Sequence, residues 1–426
     1  MKNFKRFKLG EICEIGSSTR IFANEYKADG VPFYRSKEII ELGSGKLDVS
    51  EKLFISKDRF EQIKAKYTVP QKNDILIAAI GANLGESYIV KDNREFYFKD
   101  GNIIWLKNFK INVKSKYIYY WMKSNDFAFQ YKNKSIGAAQ KALTIDSLKE
   151  YLIPVPDLET QIKVIITLEQ LDKKIMNNNK INNNLEELMQ TLYQRWFIEF
   201  NFPNKDGKPY KSSGGKMVWN EELKQERPEE WKVENLYKNT LSSVIKNGIE
   251  KFDKKIYLET ADINNDCISN GNEISFNDRP SRANMQPRLN SVWFAKMKNS
   301  VKHLSLSESS NTFVNKYILS TGMYGLQCDR KTFPYIHSFI NSIYFEPTKD
   351  KLAHGATQQA VNDNDIKNIK IICPSNYIIE EYSNRTYSIL EEKNLIQEEN
   401  RHLTELRDFL LPMLMNGQIN VDDVEI

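Results

Sequence analysis

The sequence predicts a mixed α/β chain built as two related globular domains, each followed by a long amphipathic helix. Three observations carry that reading. The first is an internal repeat: a shift of 218 residues brings Gly137, Ala138, Gln140, Ala142, Lys149, Ile153 and Pro156 onto Gly355, Ala356, Gln358, Ala360, Lys367, Ile371 and Pro374 without a gap. The same shift carries Tyr117-Ile118 onto Tyr335-Ile336, and Leu185, Glu187, Leu188 and Leu192 onto Leu403, Glu405, Leu406 and Leu410. The second is charge. Residues 1–156 hold 27 Lys+Arg against 18 Asp+Glu (+9) and residues 231–374 hold 19 against 14 (+5), whereas 157–200, 201–230 and 375–426 come to −2, 0 and −7. The third is a pair of heptad seams, one in each acidic stretch.

A length of 426 residues with 40% hydrophobic and 27% charged residues is enough for two cores and long for one. The N-terminal MKNFKRFKLGEICEIG is basic but has no apolar core behind it, and no run of 18 apolar residues occurs, so the chain reads as cytoplasmic. Cys13, Cys267, Cys328 and Cys373 lie far apart, with no CxxC pair to suggest zinc or a disulfide framework, and read as buried thiols.

The first basic segment is rich in strand signals. FKLGEICEIGSSTR alternates before a polar loop, and GVPFYRSKEI is a short strand ending in Arg35-Ser36-Lys37. NDILIAAIGANLGESYIV reads as two strands joined at Gly81 and Gly85, and FYFKDGNIIWLK as a hairpin turning at Asp100-Gly101. KYIYYWMKSNDFAFQYK has helical periodicity. Its counterpart is PYIHSFINSIYF, and that of NDILIAAIG is NSVWFAKMK (Asn290 to Lys298), so the domains are related with different loops. After each GAxQ turn comes a strand closed by proline, then the helix.

In the first helix Val164, Leu168, Leu171, Ile175, Asn178, Asn182, Leu185, Met189, Leu192 and Trp196 fall at four-three spacing. In the second the positions are Tyr382, Thr386, Ile389, Lys393, Ile396, Asn400, Leu403, Arg407, Leu410 and Leu414, a more polar seam that Leu395 and Leu406 are expected to widen. Two such helices can bury each other, and about 40 residues of helix span roughly 60 Å. The Asn runs 177–179 and 182–184 fit either register-setting layers or a solvated face, with only Asn178 and Asn182 on the seam. Residues 201–230, rich in Gly, Pro, Ser and charge, read as a linker, and the second helix should stop near Asn416-Gly417.

The residues offer binding chemistry rather than catalysis. There is no NPPY- or DPPY-type tetrapeptide and no glycine-rich strand-turn-helix for a methyl donor, and the four histidines are dispersed. GSGK at 43–46 lacks the first glycine of a phosphate loop, since Ile40 stands there. His354 is matched by Ile136 in the other half, which argues against a shared catalytic role. Candidate DNA contacts in the first domain are Arg20, Arg35, Lys37, Arg59, Lys66 and Lys72, with Gln140 and Lys141 in the GAAQK turn. In the second they are Arg279, Arg282, Gln286, Arg288, Lys296, Lys298 and Lys302, with Gln358 and Gln359 in the GATQQ turn. Arg grips guanine O6 and N7, Gln grips adenine N6 and N7, and Lys suits phosphate.

These passages together resemble the specificity subunit of a type I restriction-modification system. The resemblance runs through DILIAAIGANLGESYIV, the two GAxQ passages, LYQRWFIEFNFP, GKPYKSSGGKMVWNEEL, RPEEWKVENL and LRDFLLPMLMNGQI. It implies two target-recognition domains (1–156 and 231–374) in a pseudo-twofold repeat, each reading half of a bipartite asymmetric double-stranded DNA site. They would be held apart by two conserved antiparallel helices forming a coiled coil (157–200 and 375–426), with 201–230 as linker. It implies two methyltransferase (modification) subunits that bring S-adenosylmethionine to adenine N6, and motor-nuclease (restriction) subunits that use ATP and magnesium. No catalytic residue, cofactor or metal site is then expected in this chain, and the exposed acidic flanks of the helices, together with Trp196 and Phe197 near the first helix end, are the expected methyltransferase contacts. A self-contained nuclease with an unrecognised metal site, or a coiled-coil adaptor without DNA specificity, are the competing readings.

Overall fold

In the computed structural model, which describes residues 4–45, 49, 52–81, 83–134, 142–264, 267–268, 271–355 and 358–424, each basic segment is organised by one fully buried strand. The chain divides into a first unit, Met1–Met176 with Leu403–Ile426, and a second unit, Asn177–His402. The division falls inside both long helices, so each unit holds part of each.

In the first unit the central strand is β6 (Ile75–Ala78), apolar throughout because both its faces are covered. Ile75 and Ile77 enter a core with Leu9, Tyr117 and Trp121, while Leu76 turns to Ile39, Phe98 and Trp105. The sheet runs in the order β2 (Glu14–Gly16), β9 (Ile103–Lys107), β6, β7 (Ser87–Ile89). A smaller sheet has the order β3 (Tyr26–Lys27), β5 (Phe54–Ile55), β4 (Val31–Tyr34), β8 (Tyr97–Phe98), and β1 (Lys5–Lys8) pairs with β10 (Leu152–Val155). Helices α1 (Leu9–Ile12), α2 (Ser36–Gly43), α3 (Lys57–Lys66), α4 (Ser115–Met122), α5 (Asn125–Lys134) and α6 (Ile145–Lys149) precede the long α7 (Leu158–Tyr193).

The Asp100-Gly101 turn exists, with Gly101 at φ 76°, but the expected hairpin does not. β8 joins β4 in parallel and β9 lies between β2 and β6. The cause is that the two flanks feed different cores, Tyr97 packing with Phe33 and Phe60 and Ile104 with Ile75 and Tyr117.

The second unit repeats the main sheet: β14 (Ser243–Val244), β23 (Met323–Gln327), β20 (Ser291–Ala295), β21 (His303–Leu306), with β20 wholly buried. Its smaller sheet is β18 (Asn272–Ile274), β15 (Lys255–Leu258), β22 (Tyr317–Ser320), β19 (Ala283–Met285). β13 (Lys232–Asn235) pairs with β24 (Lys370–Cys373), and β16 (Ile263–Asn264) with β17 (Cys267–Ile268). Helices α8 (Asn311–Lys316), α9 (Phe333–Ile340), α10 (Phe345–Leu352) and α11 (Asp363–Ile366) precede α12 (Asn376–Met415). The repeat extends to single bonds. Tyr117 donates its hydroxyl proton to Pro154 O at 2.9 Å and Tyr335 to Ile372 O at 2.6 Å. The Leu9 and Leu236 amides reach Tyr151 O and Ile369 O, both at 2.8 Å.

Within each unit the helix segments pack antiparallel on the expected seam. In the first, Val164, Leu168 and Leu171 meet Leu410, Leu411 and Leu414, with Lys163 paired to Asp422 at 2.8 Å and Arg407 to Asp172 at 3.1 Å. In the second, Asn178 donates to Glu399 at 2.6 Å, and Lys393 is buried against Glu186, which also accepts from His337 Nε2 at 3.0 Å. That pairing explains the polar second seam. Asn178 and Asn182 are buried whereas Asn177, Asn179, Asn183 and Asn184 are exposed, so the runs supply buried seam layers at two positions and solvated surface at four.

Three expectations fail here. Leu395 and Leu406 do not widen the stripe, being 53% and 40% exposed; at about 100° per residue Leu395 falls on the outer side and Leu406 on a flank. Trp196 and Phe197 are not an exposed helix end, being 4% and 1% accessible. A π-turn at Gln194–Ile198 swings them inward, where Phe197 meets Tyr335 and Tyr382 at 4.7 and 4.9 Å. Residues 201–230 are folded rather than a bare connection. β11 (Met217–Asn220) and β12 (Gln225–Pro228) form a hairpin, and Phe202 stacks against Tyr210 and Trp231 at 4.6 and 4.7 Å.

Among the described residues no helix is long and apolar enough to cross a membrane. Cys13, Cys328 and Cys373 are buried free thiols, and the Cys267 side chain lies outside what is described.

Candidate nucleic-acid interface

In the second unit β20 ends at Ala295 and the chain turns through 296–302 before returning as β21. That turn is tied to the GATQQ passage: Val361 N–H donates to Lys296 O at 3.0 Å and Lys298 N–H to Gln359 O at 2.9 Å. The Lys298 ammonium adds a bond to Gln359 Oε1 at 2.8 Å. Gly355, at φ 140°, is needed where the passage doubles back, since a Cβ there would stand 2.4 Å from Gln358 O. Arg282 joins the same place, its carbonyl accepting from Thr321 N–H at 2.8 Å. Lys296 is partly buried, and that burial, reinforced by Arg282 and opposed by Asp363, lowers its pKa below the ordinary 10.5.

Arg282, Lys296, Lys298 and Gln359 therefore converge, with Gln358 exposed beside them. Lys302 is spent inward, donating to the carbonyls of Ala261, at 3.2 Å, and Ile263. Arg279 folds over the Phe276 ring at 4.1 Å and donates to its carbonyl. Gln286 and Arg288 line a cavity of about 630 Å³ together with Lys246, Asn247 and Gln327.

A stripe that the sequence reading missed continues from Lys296. The Tyr237 ring lies under Lys246 and Lys367, at 4.8 and 5.0 Å. Lys246 reaches Asp363 at 3.5 Å, and Tyr324 donates to Asp363 at 3.1 Å. Lys296 and three of these five residues have no equivalent chemistry in the first unit: paired strand and turn positions set Gly10, Ile104 and Ile145 against Tyr237, Tyr324 and Asp363, and Ala79 against Lys296. A position-by-position comparison of the two halves was the available signal.

The first unit keeps the clamp, with Leu143 N–H donating to Ala79 O at 2.9 Å and Ile80 bridging Ala142. Its candidates sit on four separate segments. Arg35 and Lys37 open α2, where Arg35 pairs at 2.9 Å with Glu38, itself only 1% accessible. Arg59, on α3, pairs with Glu25 at 2.7 Å, and Lys66 ends that helix over the Tyr67 ring at 5.4 Å. Lys72 is exposed in the turn before β6, and Arg20 lies over Phe22 at 5.1 Å. Gln140 and Lys141, like Gly137, Ala138 and Ala356, lie outside the described residues. Among those described, no group of three or more His, Cys, Asp or Glu is placed to hold a metal ion.

The family described as the type I restriction modification DNA specificity domain matches residues 1–187. The chain is 24% identical, over 98% of its length and 94% of the relative's, to the type I restriction enzyme MjaIX specificity subunit of Methanocaldococcus jannaschii. It is 23% identical, over 98% and 100%, to the type I restriction enzyme HindI specificity subunit of Haemophilus influenzae. The crystal structure of the type-I restriction-modification system S subunit from M. genitalium aligns with a TM-score of 0.52 at 13% identity, covering 97% of this chain and 96% of that one, a likeness of fold. With the repeated sheet, the antiparallel helix segments and two relatives matched over nearly their whole length, the chain is similar from end to end to type I restriction-modification specificity subunits, and its first 187 residues match that family's DNA specificity domain.

Proposed function

We propose that the chain reads a bipartite, asymmetric double-stranded DNA site, one half per unit, and presents it to partners that carry the chemistry. The observation that supports this most directly is one scaffold with two surfaces. Sheet order, the Tyr117 and Tyr335 bonds and the clamped turn are shared. The residues at that turn are Ala79, Ile104 and Ile145 in one unit and Lys296, Tyr324 and Asp363 in the other. A common frame with different side chains recognises two different sequences, and the excess of basic residues in both segments favours phosphate.

The partners would be two methyltransferase subunits, using S-adenosylmethionine to modify adenine N6, and motor-nuclease subunits using ATP and magnesium; the chain itself would supply recognition and no catalytic group. Exposed apolar residues on the long helices, among them Ile162, Ile166 and Leu188, suit protein docking. The test mixes purified chain with its modification subunit and sequences methylated DNA. Methylation should require both, and replacing residues 231–352 with those of another family member should change one half-site only. Methyl transfer or magnesium-dependent cleavage by the lone chain would sink the proposal.

A further inference from the structure

The most unusual ionisable group in the second unit is Lys349 on α10, whose side chain is 0% accessible. Its ammonium meets three carbonyls of the turn that follows β20: Ala295 O at 3.2 Å, Met297 O at 3.2 Å and Ser300 O at 3.3 Å. An ammonium has three protons, which these carbonyls share with the nearby Glu346 carboxylate. Counter-charge comes from Glu346 at 2.6 Å and Asp350 at 3.5 Å. His303 holds Glu346 from β21 through Nε2 at 2.8 Å. Burial would raise the Glu346 pKa, but His303 and Lys349 outweigh it and hold the carboxyl below its ordinary value. Asp350 accepts from the Asn299 amide at 3.1 Å, at a residue with φ 56°.

Three carbonyl dipoles converge on this one ammonium, which ties residues 295, 297 and 300 to a common donor and so sets the path of the turn. The same turn carries Lys296 and Lys298, which α10 holds from within while the Gln358–Val361 passage ties it from the other side. Taking a charge fully out of water is costly unless it is paired and hydrogen-bonded. The corresponding residue of the first unit, 218 positions earlier, is Tyr131, packed 3.5 Å from where a Cβ of Gly85 would be. A buried cation is therefore not a requirement of the scaffold.

We propose that Lys349 is a positioning residue for the second half-site: without touching DNA, it sets the turn from which Lys296 and Lys298 read. This rests on the reading of the second unit as a DNA-reading domain. The test uses the full chain with its modification subunit on duplex libraries randomised in one half at a time, with melting and salt dependence followed in parallel. Lys349→Met removes the cation, and Glu346→Gln with Lys349→Met removes both charges where the single change fails to fold. Discrimination in the second half should fall by about tenfold, the first half being read as before and the salt slope unchanged. Asp350→Ala, which frees the Asn299 side of the turn and removes the more distant of the two counter-charges on Lys349, should relax the second half by about threefold. Unaltered second-half discrimination in a folded double variant, or in Asp350→Ala, would overturn the proposal, and a salt slope reduced by about one would make Lys349 a direct phosphate contact instead. If the unaltered chain discriminates in neither half, it is the DNA-reading function that fails.

Discussion

The two clamped turns show one frame holding the same edge by opposite means. In the first unit the turn between β6 and β7 contains Gly81 and Gly85, both left-handed at φ 92° and 91°, with the Phe127 and Tyr131 rings against Gly85. In the second the matching turn has no glycine and is drawn onto the Lys349 ammonium. Glycine lets the backbone take its path without side-chain help, whereas a cation-held turn can spend its positions on Lys296 and Lys298. The helix segments repeat the contrast: Leu168, Leu171, Leu410 and Leu414 close the seam of the first unit, while Glu186, Lys393 and His337 meet in the second.

The largest effect should come from breaking that polar seam. Burial alone would raise the Glu186 pKa, but His337 and Lys393 hold it far below the carboxylate range. Glu186→Gln leaves two buried partners without their carboxylate and should cost about 3 kcal/mol. Because the folded pKa is depressed, the stabilisation is present above the unfolded value of 4.5 and drains away as pH falls below it. Hydrogen exchange on the full chain should therefore show the second unit losing protection in acid before the first, and Glu186→Gln should remove that difference. Equal acid sensitivity of both units would break the comparison.

On the proposed DNA-reading role, Arg35 and Arg282 would separate support from reading. Arg35→Ala leaves the buried Glu38 with the residue-35 backbone amide but without its counter-charge and should lower stability by about 1–3 kcal/mol. Arg282 is exposed, and its replacement by Ala should cost about 1–3 kcal/mol at one base of the second half-site, read from methylation of single-mismatch duplexes. Asp363→Ala sharpens the point. A carboxylate in a basic stripe repels phosphate, yet it can accept from cytosine N4, so its loss should relax one position by about 1 kcal/mol or more. A uniform gain in affinity on every duplex would mark Asp363 as an electrostatic brake.

The helices were legible because a heptad seam is written in local spacing, and the seam residues Val164, Leu168, Leu171, Met189, Leu192 and Trp196 pack into the cores, Trp196 turned inward. Buried strands were legible as apolar runs. The pairing of β8 with β4 was not, since adjacency along the chain favours a hairpin and the choice was made by two distant cores. At the candidate interface Arg282, Lys296 and Lys298 carry a residue-type signal. Tyr237, Lys246, Tyr324, Asp363 and Lys367 come from separate segments and meet only through the fold. Lys349 was the least legible of all, because nothing in its neighbours distinguishes a buried lysine from a solvated one.

The smallest expected effect is a pH dependence confined to one unit. Lys296 is held below 10.5 chiefly by burial, so it begins to lose its proton at a lower pH than an exposed lysine. Contact with an acceptor on a base edge favours the charged form, so binding takes up a proton in that range and second-half discrimination falls as pH rises through the lowered value. Ala79 occupies the matching place in the first unit and cannot titrate. Measured at constant ionic strength, second-half mismatches should become better tolerated with alkaline pH while first-half discrimination stays level. Lys296→Arg keeps its charge throughout and should flatten the profile. A decline shared by both halves would assign the dependence to the phosphate contacts at large and remove Lys296 from the difference between the two turns.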